Sequence, residues 1–242
     1  MELLNTGIAG LDRMLNGGIP RGHIVTTLGS FGTGKTTLAL QFTYAGLSNG
    51  DNCIYMSLEE DEEELIKTAE MFGWGFKQYI ESGKLILIKL SAMNIKSTIE
   101  RIEKELPDLF RTFGAERLVV DPITLYEMIL DTDTERRDYL FNFAQVVKES
   151  GITALFTSET DKEYPYSSKY GLAEYISDGV ISLRHVRAGD LHAITTIIEV
   201  SKMRRLEHSH EIKPYNITKD GIVVHAGSAV FSSMPDYPAV QE

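Results

Sequence analysis

The chain has 242 residues, 43% of them hydrophobic, and a formal net charge of −11 at pH 7. That length suits one substantial α/β domain spanning 1–242 and leaves a second cramped, while the apolar fraction supports a sizeable core. The acidic balance favours solubility and excludes a surface that attracts nucleic acid everywhere, though not a local basic groove.

The first residues, Met1-Glu2-Leu3-Leu4-Asn5, lack the basic and apolar parts of a signal peptide, and no apolar run approaches membrane-spanning length. Cys53 is the only cysteine, so no internal disulfide can form, and inside an apparent strand it reads as a small buried hydrophobe. A cytoplasmic location is the expectation.

Ile24-Val25-Thr26-Thr27-Leu28 predicts a short buried strand, and Thr37 to Ala45 a helix with Leu38, Phe42 and Ala45 on one face. Between them, Gly29-Ser30-Phe31-Gly32-Thr33-Gly34-Lys35-Thr36 fits the phosphate-loop pattern G-x-x-x-x-G-K-[ST] without a mismatch. Its glycines let backbone N–H groups turn inward around a polyphosphate, Lys35 neutralises terminal phosphates, and the Thr36 hydroxyl is offered to Mg²⁺. Thr37 extends the cradle into the helix, whose N-terminus faces the phosphates. A nucleoside triphosphate is the expected ligand.

Further along, strand-like and helix-like segments alternate, the pattern of a mostly parallel sheet covered by helices. Cys53 to Leu58 reads as a strand, then an acidic helix from about Asp61 to Phe72, then a strand at Leu85 to Ile88. Ile95, Ile99, Ile102 and Leu106 share one face of a helix expected to stop before Pro107. Arg117 to Asp121 reads as a strand buried on both faces.

Thr132-Asp133-Thr134-Glu135 is a capping-box pattern opening a helix with an apolar stripe of Tyr139, Leu140, Phe143, Val146 and Val147. Thr153 to Thr157 is the next strand, and the polar stretch Glu159 to Tyr170 is long enough to be functional or mobile. Beyond Gly179 three segments, Val180 to Val186, Ile194 to Met203 and Ile222 to His225, suggest antiparallel strands added to one edge of the parallel core. In this division residues 1–22 lead in, 23–200 form the core, 201–230 a β edge and 231–242 a loose tail.

Three further sites gather at strand ends. Asp121 closes a buried strand at its carboxyl end, where ligands bind in open α/β sheets, and suits Mg²⁺ held through water; its other reading is a cap on the Pro122 turn. Glu59 and Glu60 follow the second strand, and either could polarise an attacking water or merely begin an acidic helix. Lys202 and Arg204, two residues apart on a strand face, suit a trans arginine finger with its companion, or a solvated basic edge strand.

Thr218-Lys219-Asp220 lacks a residue of the guanine-reading motif, and His208, His210 and Glu211 lack a second ligand pair for a metal.

Together these segments resemble the KaiC branch of the RecA/RadA ATPase superfamily over nearly the whole length. Thr6-Gly7-Ile8-Ala9-Gly10-Leu11-Asp12 and Gly17-Gly18-Ile19-Pro20-Arg21-Gly22 are similar to its leading segment, and Ser57-Leu58-Glu59-Glu60 to its paired catalytic glutamates. Phe156-Thr157-Ser158-Glu159, Tyr175-Ile176-Ser177-Asp178-Gly179, and Lys202-Met203-Arg204 with His208 match later landmarks.

The resemblance implies a RecA-like P-loop core and a slow Mg²⁺-dependent ATPase. It also implies a homo-oligomeric ring, with six subunits, whose sites form between subunits. Glu59 becomes the catalytic carboxylate with Glu60 beside it, Lys202 and Arg204 act in trans, and His208 lies at the nucleotide. Arg205, Leu206 and Glu207 depart from the family's small spacer, and Glu174 and Tyr175 stand where the clock protein has a phosphorylated Ser-Thr pair. Self-phosphorylation and clock function are therefore not carried over.

An alternative is an ATP-dependent regulatory module with slow hydrolysis and a protein partner, as in the archaellum accessory ATPase. A weaker one is single-stranded DNA binding through Tyr164, Tyr166, Lys169 and Tyr170, which Asp161, Glu163 and the net charge oppose.

Overall fold

The structure, a computed structural model, describes residues 1–90, 95–187 and 194–228. The tail expected over 231–242 lies outside the described residues, as do the side chains of Ile95, Ile99 and Ile102. The elements are, in chain order, β1 (Leu3–Leu4), α1 (Ala9–Met14), β2 (Ile19–Pro20), β3 (Ile24–Gly29), α2 (Lys35–Asn49), β4 (Cys53–Ser57), α3 (Glu62–Met71), α4 (Phe76–Glu81), β5 (Leu85–Lys89), α5 (Ile95–Phe113), β6 (Arg117–Asp121), α6 (Ile123–Met128), α7 (Asp133–Glu149), β7 (Thr153–Glu159), α8 (Ala173–Ile176), β8 (Gly179–Arg187), β9 (Ile194–Met203), β10 (Lys213–Thr218) and β11 (Gly221–Val224).

Among the described residues, a 9-stranded sheet runs in the order β11-β10-β9-β8-β3-β7-β6-β4-β5. From β8 to β5 neighbouring strands are parallel, and β9, β10 and β11 join antiparallel at the β8 side. The central strands β3, β4, β6 and β7 are buried on both faces because residue alternation feeds two apolar clusters. Cys53 and Tyr55 of β4 enter the one built around Leu38 and Phe42 of α2, whereas Ile54 and Met56 enter the one with Phe143 and Val147 of α7. Each large side chain so removed from water contributes about 1.5–3 kcal/mol. Burial also pushes the Cys53 thiol up to about 12, so it packs as an inert hydrophobe.

The capping box forms as expected. Glu135 N–H donates to Thr132 Oγ1 at 3.2 Å, and Thr132 N–H donates to Glu135 Oε2 at 3.0 Å. Leu140, Phe143 and Val147 are the buried centre of the stripe that follows, with Tyr139 and Val146 packed at its margin.

The expected stop before Pro107 is wrong: α5 continues through that proline to Phe113. A proline inside a helix costs about 3 kcal/mol. Here Leu106 and Phe110, one turn apart, are both buried in the α7-side cluster, and their burial offsets a cost of that size.

The acidic helix α3 begins at Glu62, with the Asp61 carboxylate accepting from Glu64 N–H at 3.0 Å. Glu59 and Glu60 thus precede the helix, in the bend after β4, and do not form its first turn. Strand β10 escaped the sequence reading: Pro214 and Asn216 weaken its strand signal, yet Lys213 and Tyr215 alternate inward against β9 and β11.

The stretch after β7 is anchored. Ser168 Oγ donates to Glu174 Oε2 at 2.5 Å, Arg136 lies 4.5 Å over the Tyr170 ring, and Arg184 lies 4.5 Å over Tyr166. Two of the three tyrosines considered for base stacking therefore already stack on cations of their own chain.

Candidate functional site

Gly29 ends β3, and the next residues turn over the carboxyl edge of the sheet before α2 starts at Lys35. Gly34 has φ +84°, and a Cβ there would meet Ile217 Cδ1 of β10 at 2.6 Å, so only glycine fits. Thr33 Oγ1 donates to the Ser30 carbonyl at 2.8 Å, and Lys35 Nζ reaches the same oxygen at 3.1 Å. Phe31, at the loop's tip, is 89% exposed.

Lys35 is drawn below the ordinary lysine range by burial, and the carboxylates of Glu159, Asp121 and Glu59 oppose that shift. One ammonium thus shares its electrostatic surroundings with three acids from three different strand ends. Strand register explains the gathering. Gly29 pairs with Glu159 across β3 and β7, Asp121 pairs with Ser57 across β6 and β4, and Leu58 N–H donates to the Asp121 carbonyl at 2.9 Å.

Asp121 is held rigidly. Its Oδ2 accepts from the Tyr55 hydroxyl at 2.6 Å and its Oδ1 accepts from Thr157 Oγ1. Glu60 is half-buried, and burial, reinforced by Asp121, Glu64 and Glu59, raises it above the ordinary carboxylate range; Glu59 is exposed.

Lys202 and Arg204 occupy the other end of the molecule. Met203 pairs with Gly179, which itself pairs with Val25 near the start of β3, whereas the phosphate loop follows the end of that strand. At about 3.3 Å per residue, roughly 17 Å of strand lies between them. β9 ends at Met203, one residue short of Arg204, so strand alternation does not set the pair's facing. Both nevertheless meet one corner. Lys202 Nζ donates to the carbonyls of Glu174 and Ser177 at 2.8 Å each, and Arg204 Nη1 lies 3.4 Å from Asp178 Oδ1.

Burial, with Arg204 nearby, lowers the Lys202 ammonium. Arg205 stands at φ +61°, a left-handed conformation that favours glycine, so this chain holds a bulky residue in the backbone geometry that the family's small spacer would suit. The His208 ring lies tilted against that of His210, centroids 4.8 Å apart, and the next residue's N–H donates to the Met14 carbonyl at the end of α1.

Sequence reasoning missed Glu159 as a neighbour of Lys35, Tyr55 and Thr157 as the holders of Asp121, and Tyr215 as a contact of the loop. Glu159 had a signal, since it ends a strand next to the phosphate-loop strand. The others depend on register between distant segments.

A family model described as "ATPase: KaiC" matches residues 4–229. The chain belongs to the KaiC ATPase family. It is 32% identical over 228 residues to the circadian clock oscillator protein KaiC of Acaryochloris marina, covering 90% of this chain and 42% of that protein. It is 31% identical over 242 residues to the circadian clock protein KaiC3 of Synechocystis, covering 95% and 47%.

The chain therefore spans less than half the length of these clock proteins. Among solved structures, the KaiC-like protein of Pyrococcus horikoshii superposes with a TM-score of 0.81 at 31% identity, over 93% of this chain and 99% of that one. The core is the RecA-like α/β sheet, and the family-level activity is that of an ATP-binding ATPase. No helix among the described residues is long and apolar enough to cross a membrane.

Proposed function

We propose that the chain binds ATP with Mg²⁺ at its phosphate loop and hydrolyses it slowly, as part of a ring of like subunits, a hexamer, in the cytoplasm. The residues present fit the ligand: a loop whose Gly32 and Gly34 stand at φ +75° and +84°, a half-buried ammonium at Lys35, and a fixed carboxylate at Asp121.

Backbone N–H groups from Gly29 to Thr37 and Lys35 hold the phosphates. Thr36 and, through water, Asp121 would hold Mg²⁺, which when bound neutralises charge on the phosphate oxygens. Glu59, exposed beside the site and outside any helix, takes a proton from the attacking water, and Glu60 stands behind it. The neighbouring subunit supplies Lys202 and Arg204, with His208 at its nucleotide.

One observation carries the composite site: each chain has a phosphate loop at one end of β3 and the Lys202/Arg204 pair at the other, too far apart to meet. Mixing subunits tests it. Lys35→Ala and Arg204→Ala chains are each inactive alone, and mixed rings regain ATP hydrolysis from sites with one intact loop and one intact finger. Absence of recovery in rings shown to contain both chains would sink the trans assignment.

A further inference from the structure

The C-terminal hairpin of β10 and β11 touches the phosphate loop. Tyr215 is fully buried, and its hydroxyl donates a 2.5 Å hydrogen bond to the Thr33 carbonyl, 182 residues away along the chain. Burial pushes the phenol upward, so it remains a donor across the physiological range. Two residues on, Ile217 fills the space beside Gly34.

The same hairpin is fastened to α2. Gln41 Oε1 accepts from Ile222 N–H at 2.8 Å, and Gln41 Nε2 donates to the Gly7 carbonyl at 2.9 Å. The hairpin is thus gripped at the loop and again on the helix that follows it.

A peptide unit is planar and trans, so its carbonyl and its N–H point in opposite directions. Fixing the Thr33 oxygen toward the hairpin fixes the Gly34 N–H away from it. From Thr33 the bonding continues through its hydroxyl to the Ser30 carbonyl, which Lys35 Nζ also contacts.

We propose that Tyr215 is a positioning residue for the bound polyphosphate: its hydroxyl locks the Thr33–Gly34 peptide so that the Gly34 N–H faces the phosphates. Without the lock the peptide can rotate, turning a carbonyl lone pair toward a negatively charged ligand and leaving a buried acceptor unpaired. The hairpin is then a working part of the nucleotide site. This rests on the loop binding ATP and adds a residue to that reading.

The test is titration of a fluorescent ATP analogue into the full chain and its Tyr215→Phe variant, with competition by inorganic tripolyphosphate and steady-state ATPase assays. The expected result is an increase of about tenfold in Kd and KM for ATP and an equal weakening of tripolyphosphate, with kcat changed less than about twofold. Wild-type Kd and KM in the Phe variant, alongside a lowered melting temperature, would show a core hydrogen bond and nothing more.

Hydrogen exchange on the wild type covers the case in which the variant does not fold. Protection of the Gly34 N–H should rise when ATP is added, and an unprotected Gly34 beside protected neighbours overturns the proposal. A wild-type chain that binds neither ATP nor tripolyphosphate refutes the nucleotide reading itself, and with it this one.

Discussion

The Tyr55 hydroxyl and Asp121 Oδ2 are 2.6 Å apart, on adjacent strands β4 and β6, at the carboxyl edge of the sheet. With Thr157 on the other oxygen, the carboxylate has one orientation and keeps lone pairs for waters above the sheet. Hydrogen bonds to a charged group contribute about 1.5–3 kcal/mol each.

Tyr55→Phe is therefore expected to lower folding stability by about 1.5–3 kcal/mol. It should also raise the Mg²⁺ concentration needed for half-maximal ATP turnover severalfold. Urea melts and a Mg²⁺ titration check both. An unchanged Mg²⁺ dependence in a destabilised variant would separate Asp121's orientation from metal use.

What could be read in advance followed the distance over which a feature is determined. The phosphate loop, the capping box at Thr132 and the buried run Arg117 to Asp121 are local, written in consecutive residues. The neighbourhood of Lys35 is not. Glu159 arrives there because β7 pairs with β3 in one particular register, and Tyr215 because an antiparallel hairpin from the far end of the chain closes the same sheet. Pro107 failed in the other direction: a strong local rule yielded to the burial of Leu106 and Phe110.

Glu59 and Glu60 separate by environment. Glu59 is exposed and contributes to the field at Lys35, whereas Glu60 is half-buried and held toward its neutral form. Glu59→Gln is expected to lower kcat by about 10²–10⁴ with ATP affinity retained, and Glu60→Gln to cost less. Single-turnover hydrolysis with measured ATP binding distinguishes them. If Glu60→Gln is the more damaging, the base has been misassigned.

Arg117 ties three segments together. Its Nε lies 2.7 Å from Asp51 Oδ2, its Nη1 donates to the carbonyls of Asn5 at 2.8 Å and Phe42 at 3.1 Å, and the guanidinium covers the Phe42 ring at 4.6 Å. Its stem runs against Gly46 of α2, where an added Cβ would lie 2.5 Å from Arg117 Cδ and 2.9 Å from Cys53 Sγ. Gly46→Ala, which normally favours a helix, is expected here to destabilise by about 1–3 kcal/mol. A chemical melt decides it, and a stabilised variant would mean that the arginine stem moves freely.

Glu127 supplies the pH dependence. It lies in α6 with no exposed surface, and neither carboxylate oxygen has a hydrogen-bond partner among the described residues. Burial, with Glu174 adding to it and Arg136 and Lys169 opposing it, raises its pKa from 4.5 to about 8. The folded chain thus binds this proton more tightly than the unfolded chain. Glu127's contribution is fully present below pH 4.5 and is lost as pH rises toward 8, at up to about 1.4 kcal/mol per pH unit.

Glu127→Gln keeps the shape and removes the titration. Its melting temperature should vary less between pH 5 and 8 than the wild type's, and at pH 7.5 it should be the more stable by on the order of 4 kcal/mol, roughly 8–16 °C. Thermal melts across that range measure both slopes. Equal slopes would mean that Glu127 is ionised and paired in solution, in which case the packing of α6 against α7 must differ from the arrangement described.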